Sequence, residues 1–121
     1  MIQGAFVENM PLIKIDLAWG QTVQAPFVIL DTGFTGDIQI TPEMANELGL
    51  TVSGVTKTRI ANGDIVTVPT ALAIAAMEGL RKSIQVLIAN SPPLAGISFL
   101  TKFSYKAIID CKYRTVMLQR A

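Results

Sequence analysis

Apolar and polar positions alternate through Leu12 and Ile13-Lys14-Ile15-Asp16-Leu17, and a second extended run covers Val23 to Leu30. This spacing predicts two half-buried strands. Trp19-Gly20-Gln21 has turn chemistry and would join them as a hairpin. Thr41-Pro42 then offers a capping hydroxyl ahead of a first-turn proline, Met44, Ala45 and Leu48 share one face, and Gly49 stops the run. A helix of about two turns is expected there.

From Val52 to Ala89 the residues are β-branched and alternating. Thr56, Thr58 and Ile60 lead into Ala61-Asn62-Gly63-Asp64, and Ile65, Val66 and Val68 lead away, which marks a hairpin at Asn62-Gly63. Glu78-Gly79 marks a second turn, between Ala71 to Met77 and Ser83 to Ala89, before Asn90-Ser91-Pro92-Pro93 breaks the ladder. Leu94 to Phe103 has room for a short helix, and a last hairpin pairs Tyr105 to Ile109 with Thr115 to Leu118. Many short strands with one or two small helices predict an all-β protein, a closed or nearly closed barrel.

The 121 residues are 50% hydrophobic and 16% charged, which predicts a single domain over residues 1–121 with a substantial core. Ten Lys plus Arg against nine Asp plus Glu leave a formal charge of +1, no footprint for nucleic acid or an anionic membrane. There is no His, so no Ser-His-Asp triad, Cys-His pair or imidazole metal site arises from these residues. Carboxylates, hydroxyls or amines must carry any catalysis. Cys111 is the lone cysteine and is expected as a small buried or half-buried hydrophobe. Met1 to Glu8 lacks a basic stretch before an apolar run, and the longest apolar run, Ala71 to Met77, is too short to span a bilayer. A soluble, cytoplasmic protein without cofactor or metal is expected.

Val28-Ile29-Leu30 reads as a buried strand that delivers Asp31-Thr32-Gly33 at its end. A plain turn accounts for the tripeptide composition. It does not account for the apolar lead-in, the following Thr35-Gly36 and the resumed strand at Ile38 to Ile40. Phe27-Val28-Ile29-Leu30-Asp31-Thr32-Gly33 resembles the active-site signature of the retropepsin-like aspartic proteases, particularly their small single-domain bacterial members. Leu94-Ala95-Gly96 resembles that family's second signature, and the Asn62-Gly63 hairpin lies where the family carries its flap. The resemblance implies a closed β-barrel half-enzyme with Asp31, Thr32 and Gly33 as the catalytic loop. It also implies a cleft and flap lined by Phe34, Thr35, Ile60, Ala61, Asn62, Gly63, Asp64 and Ile65. Phe34, Thr35, Ala95 and the Asn62-Gly63 tip depart from the retroviral pattern, so subsite preferences do not transfer.

One Asp31 per chain has a mechanistic consequence. Hydrolysis by this chemistry needs one ionised carboxylate to take a proton from water and one protonated carboxyl to hydrogen-bond the carbonyl oxygen. A C2 homodimer is therefore expected, cutting extended, largely apolar peptide or protein segments. By the same resemblance Thr32 would hydrogen-bond across the axis, Gly33 would allow close backbone approach, and Met1 to Val7 with Thr115 to Gln119 would form an intersubunit sheet. Asp16, Asp37, Asp64 and Asp110 are expected in solvated or turn-capping roles, with Asp37 near enough to Asp31 to face the cleft. The rival readings are a catalytically silent retropepsin-like dimerisation or peptide-binding module and a purely structural subunit. A carboxylate-only metal site lacks an Asp-x-Asp-x-Asp-Gly cluster, and Gly33-Phe34-Thr35-Gly36 lacks the Gly-Lys-Ser/Thr of a phosphate loop.

Overall fold

The computed structural model describes residues 1–59 and 62–120. The amino-terminal strands are β1 (Ile2–Gln3), β2 (Ala5–Val7), β3 (Met10–Lys14), β4 (Asp16–Trp19), β5 (Thr22–Gln24), β6 (Phe27–Leu30) and β7 (Ile38–Ile40). Helix α1 (Pro42–Leu48) follows, then β8 (Val52–Arg59), β9 (Ile65–Met77), β10 (Leu80–Ile88) and β11 (Leu94–Ala95). Helix α2 (Ile97–Lys102), β12 (Tyr105–Asp110) and β13 (Thr115–Arg120) complete the order. The larger sheet runs β2-β3-β6-β11-β7-β10-β9-β4-β5 with β8 on β9, and a smaller sheet runs β1-β13-β12.

Local signals account for the elements that match expectation. Thr41 Oγ1 accepts from the Met44 amide at 3.2 Å, Pro42 opens α1, and Gly49 closes it with a left-handed φ of 74°. Glu78 and Gly79 both take positive φ, 48° and 83°, and Met77 faces Leu80, so a tight two-residue turn joins β9 to β10. The Asn62-Gly63 hairpin forms with Arg59 opposite Ile65. Its long strand β9 has two duties. Thr70 to Met77 pairs with β10 while Ile74 to Ala76 also pairs with β4, whereas Ile65 to Pro69 pairs with β8 alone and extends as an arm.

The amino-terminal hairpin forms in two storeys. β3 pairs with β6, β4 pairs with β5, and the strands break at Ile15 and at Ala25-Pro26. Pro26 has no amide hydrogen to give a ladder, and its carbonyl accepts from the Ile15 amide at 3.1 Å. The outer storey is thereby free to join β9.

The expected closed barrel is instead a curled half-barrel. The large sheet ends at β2 and β5, and among the described residues no pairing joins them. Each end is covered by something else. Gln24 on β5 reaches α1 through the Met44 carbonyl and Glu47, and the Gly4 amide beside β2 donates to the Val116 carbonyl of β13 at 2.9 Å. Covering an edge removes the need to close the sheet on itself.

The core lies inside the curl. Ile13, Val28, Leu30, Ile38, Ile40, Ile84 and Val86 point inward from their strands, and Ala71, Ala73 and Ala75 do so from β9. Phe99 of α2 and Phe103 at its C-cap close the interior, their rings 5.0 Å apart. Cys111, expected inside, is exposed. The Asp110 side chain accepts from the Lys112 and Tyr113 amides, and the resulting turn carries Cys111 outward. Asp64 and Asp16 are likewise exposed. Strand β1 pairs with β13 of its own chain, Ile2 opposite Leu118. Among the described residues no helix is long and apolar enough to cross a membrane.

Beside this sheet, Glu78 accepts from the Met1 amino group at 2.7 Å and from the Tyr105 hydroxyl at 2.8 Å. These donors, the ammonium first, hold the Glu78 carboxyl below its usual range. Burial, then the bond to Glu78, pushes Tyr105 up to about 12. A phenol raised in the folded state contributes stability that is complete below its unfolded value of about 10 and is lost as pH rises through about 12. Tyrosinate absorbance, wild type minus Tyr105→Phe, is expected to show a midpoint near 12. A midpoint near the free value of about 10 would contradict the contact.

Candidate active site

The site begins with strand β11, only two residues long. Leu94 and Ala95 lie parallel to Ile29 and Leu30 of β6 and antiparallel to Gln39 and Ile38 of β7. β11 therefore wedges between the two strands that lead into and out of the Asp31-Thr32-Gly33 loop. The Ile29 amide donates to the Pro93 carbonyl, the Asp31 amide to Ala95, the Gly96 amide to Asp37 and the Ile97 amide to Phe34, all at 2.9 Å. Both ends of the 31–37 loop and its middle are held by one short segment. Three of these bonds hold the loop and the fourth holds the strand that enters it, which leaves the loop little freedom.

Gly96 is required by this contact. A Cβ there would run into the carbonyl oxygens of Phe34 and Gly36 and into the Phe34 ring. The chain approaches too closely for any side chain. Within the loop, the Gly33 amide donates to Asp31 Oδ1 at 2.9 Å and the Phe34 amide to the Asp31 carbonyl at 3.1 Å. The carboxyl is oriented by its own turn and stays partly open to solvent.

Asp37 does not face the cleft. It is 3% exposed, and its Oδ2 accepts from the Gln85 amide at 2.9 Å and from Lys102 Nζ at 2.5 Å. Its Oδ1 is buried with no partner among the described residues. Burial in this sheet interior is satisfied by a cation 65 residues away, a pairing that no local spacing signals. The ion pair ties the end of the Asp31 loop to the end of α2, so the expected solvated role is replaced by an internal clamp.

A cleft of about 510 Å³ opens above the loop. Asp31, Gly33, Phe34, Thr35 and Leu94 line it, five of the residues expected from sequence. Thr32 is exposed at the loop surface, while Ala95 is fully buried and supports the loop from beneath, as Gly96 does. Ile60 and Ala61 lie outside the described residues. Asn62, Gly63 and Asp64 form a self-bonded tip, Asn62 Oδ1 accepting from the Asp64 amide at 2.9 Å, and do not line the cleft; Ile65 is 59% exposed.

Four lining residues were not expected. Thr58 and Arg59 come from the arm before the tip, and Gln39 and Ser91 form a side-chain bond of 2.5 Å at the opposite wall. Arg59 carried one readable signal, a long cationic side chain on the strand entering the flap hairpin. Gln39 and Ser91 carried none, because they are brought together by the β11-β7-β10 arrangement.

Two solved structures share this architecture. EIAV protease, determined in complex with the inhibitor HBY-793, matches with a TM-score of 0.66 at 18% identity, over 84% of this chain and 95% of that one. A retropepsin-like aspartic protease from Rickettsia conorii matches with a TM-score of 0.64 at 20% identity, over 98% of this chain and 89% of that one. The chain has the retropepsin-like aspartic protease fold, as the Asp31-Thr32-Gly33 resemblance implied. No protein-family model and no curated protein matches it.

Two substitutions test the clamp. Gly96→Ala is expected to cost about 1–3 kcal/mol through overpacking against backbone that cannot yield, read as a fall in Tm. Lys102→Met leaves the Asp37 carboxylate buried against the Gln85 amide alone, at an expected cost of about 1–3 kcal/mol in urea denaturation. The part-exposed ammonium keeps that cost at the low end. Changes below about 0.5 kcal/mol, the scale of an ordinary surface substitution, would contradict the clamp.

Proposed function

We propose that the chain is an aspartic endopeptidase that works as a C2 homodimer, residues 1–121 acting as one domain. The observation that carries this reading is the placement of Asp31: a carboxyl in an Asp-Thr-Gly loop, oriented by the Gly33 amide at the floor of a cleft and held by β11. The fold likeness to the two proteases supports it.

In the dimer the two Asp31 carboxyls meet at the axis. Two carboxyls within about 3 Å cannot both ionise, the shared-proton arrangement known for aspartic proteases. The ionised member takes a proton from water as the water oxygen attacks the scissile carbonyl carbon. The protonated member donates to the carbonyl oxygen, giving a tetrahedral gem-diol. The first carboxyl then gives its proton to the amide nitrogen while the second takes one back from a gem-diol hydroxyl; the C–N bond breaks, leaving an amine and a carboxylic acid, and the dyad again holds one proton. Thr32, exposed in the single chain, bonds its counterpart across the axis. Substrate lies extended beneath the β8-β9 arm, its apolar side chains against Phe34 and Leu94.

Incubation with a peptide library between about pH 4 and 7, the range set by a shared-proton dyad, tests the reading. Wild type is expected to cut with a bell-shaped pH profile, and Asp31→Asn to lose at least about 10³-fold in kcat/KM. Cleavage that survives Asp31→Asn overturns the assignment. A folded wild-type protein that cuts nothing favours a catalytically silent peptide-binding module.

A further inference from the structure

The charged groups lining the cleft, among the described residues, are Asp31 on its floor and Arg59 on the arm above it. Arg59 Nη1 donates to the Gly63 carbonyl at 3.0 Å, its one side-chain hydrogen bond among the described residues, which fixes one edge of the guanidinium. Among the described residues no carboxylate lies within ion-pair distance of it. A guanidinium offers five donors in a planar fork that matches a carboxylate. Among the described residues, most of this one's donating capacity is therefore uncommitted, and it lines the cleft.

The wall opposite is polar as well. Gln39 and Ser91 bond one another, and Thr35 and Thr58 add hydroxyls, so the cleft offers polar as well as apolar lining. The charge balance points the same way. On the proposed dimer reading the two Asp31 carboxyls share one proton and carry a single negative charge, while two Arg59 side chains face the same space. The cleft is then net positive when the dyad is in its working state. An anionic group on the substrate is attracted, and its attraction is strengthened where the cleft excludes water.

We propose that Arg59 determines specificity by receiving an acidic side chain, Asp or Glu, of an extended peptide substrate. Apolar side chains still occupy Phe34 and Leu94; the inference adds one acidic position to that pattern. It rests on the proteolytic reading for its cleavage consequence, but not for binding. Because Arg59 also holds the Gly63 carbonyl, an acidic side chain docked on it joins substrate to the flap tip.

The test uses C-terminally amidated peptides of about ten residues, the length of an extended segment laid in a cleft. A single Glu or its neutral isostere Gln is placed at successive positions along a leucine- and alanine-rich sequence. The ratio of kcat/KM for Glu over Gln is expected to reach about tenfold at one position, the scale of a hydrogen bond to a charged group. That ratio should fall with added salt, collapse toward unity in Arg59→Gln and persist in part in Arg59→Lys. Using the ratio cancels any loosening of the flap, which affects both peptides alike.

The same pairs are measured for binding to Asp31→Asn by fluorescence anisotropy. A Glu preference in binding without cleavage by wild type upholds this inference and defeats the proteolytic reading. Asp31-dependent cleavage with equal Glu and Gln rates at every position does the reverse. A preference unchanged in Arg59→Gln, or one produced only by peptides with a free terminal carboxylate, overturns the assignment of Arg59 to an acidic side chain.

Discussion

The wedge of Leu94-Ala95-Gly96 between β6 and β7 is the constraint on which the rest depends. Strands β6 and β7 flank the Asp31 loop, yet they do not pair with one another; β11 pairs with both. A catalytic carboxyl needs to be held within a fraction of an ångström of its working position. On the proposed reading of Asp31, that precision comes from backbone hydrogen bonds, whose lengths and directions vary less than side-chain contacts. Gly96 lets the supporting segment come close enough, and the Asp37–Lys102 pair fastens the loop's far end to α2. A side chain at residue 96 would push away the very carbonyls that define the loop.

The same economy shapes the arm over the cleft. β9 is anchored between β10 and β4 along its second half and is paired only with β8 along its first half. Rigid support and a two-stranded projection are thus parts of one strand. A two-stranded ribbon without further partners is the low-stability end of a sheet, suited to opening over an extended ligand. Arg59 sits where that ribbon meets the cleft, so a change in the arm's position is also a change in the cleft's charge.

Much of this was legible in the sequence where the deciding signal is local. Thr41-Pro42 with Gly49 bounded α1 to the residue, Glu78-Gly79 and Asn62-Gly63 marked their hairpins, and Asp31-Thr32-Gly33 with Leu94-Ala95-Gly96 led to the loop and its support. What was not legible depends on distant partners. The buried state of Asp37 is decided by Lys102, the unclosed sheet by α1 and β13 covering its ends, and the outward Cys111 by the way Asp110 binds the two amides after it. The cleft walls were half visible, since Phe34, Thr35 and Leu94 adjoin the signatures. Thr58 and Arg59 adjoin the flap hairpin but lie outside its expected lining, and Gln39 and Ser91 adjoin nothing that marks them.

The central claim is that two chains make one site, and subunit mixing tests it most directly. A fixed amount of wild-type protein is equilibrated with an equal amount of Asp31→Asn chain, and peptide cleavage is measured against wild type alone. If each site needs Asp31 from both chains, random exchange places about half of the wild-type chains in inactive heterodimers and activity falls to about half. Activity unchanged by the added variant, at a concentration where light scattering shows the two chains exchanging, would contradict the account.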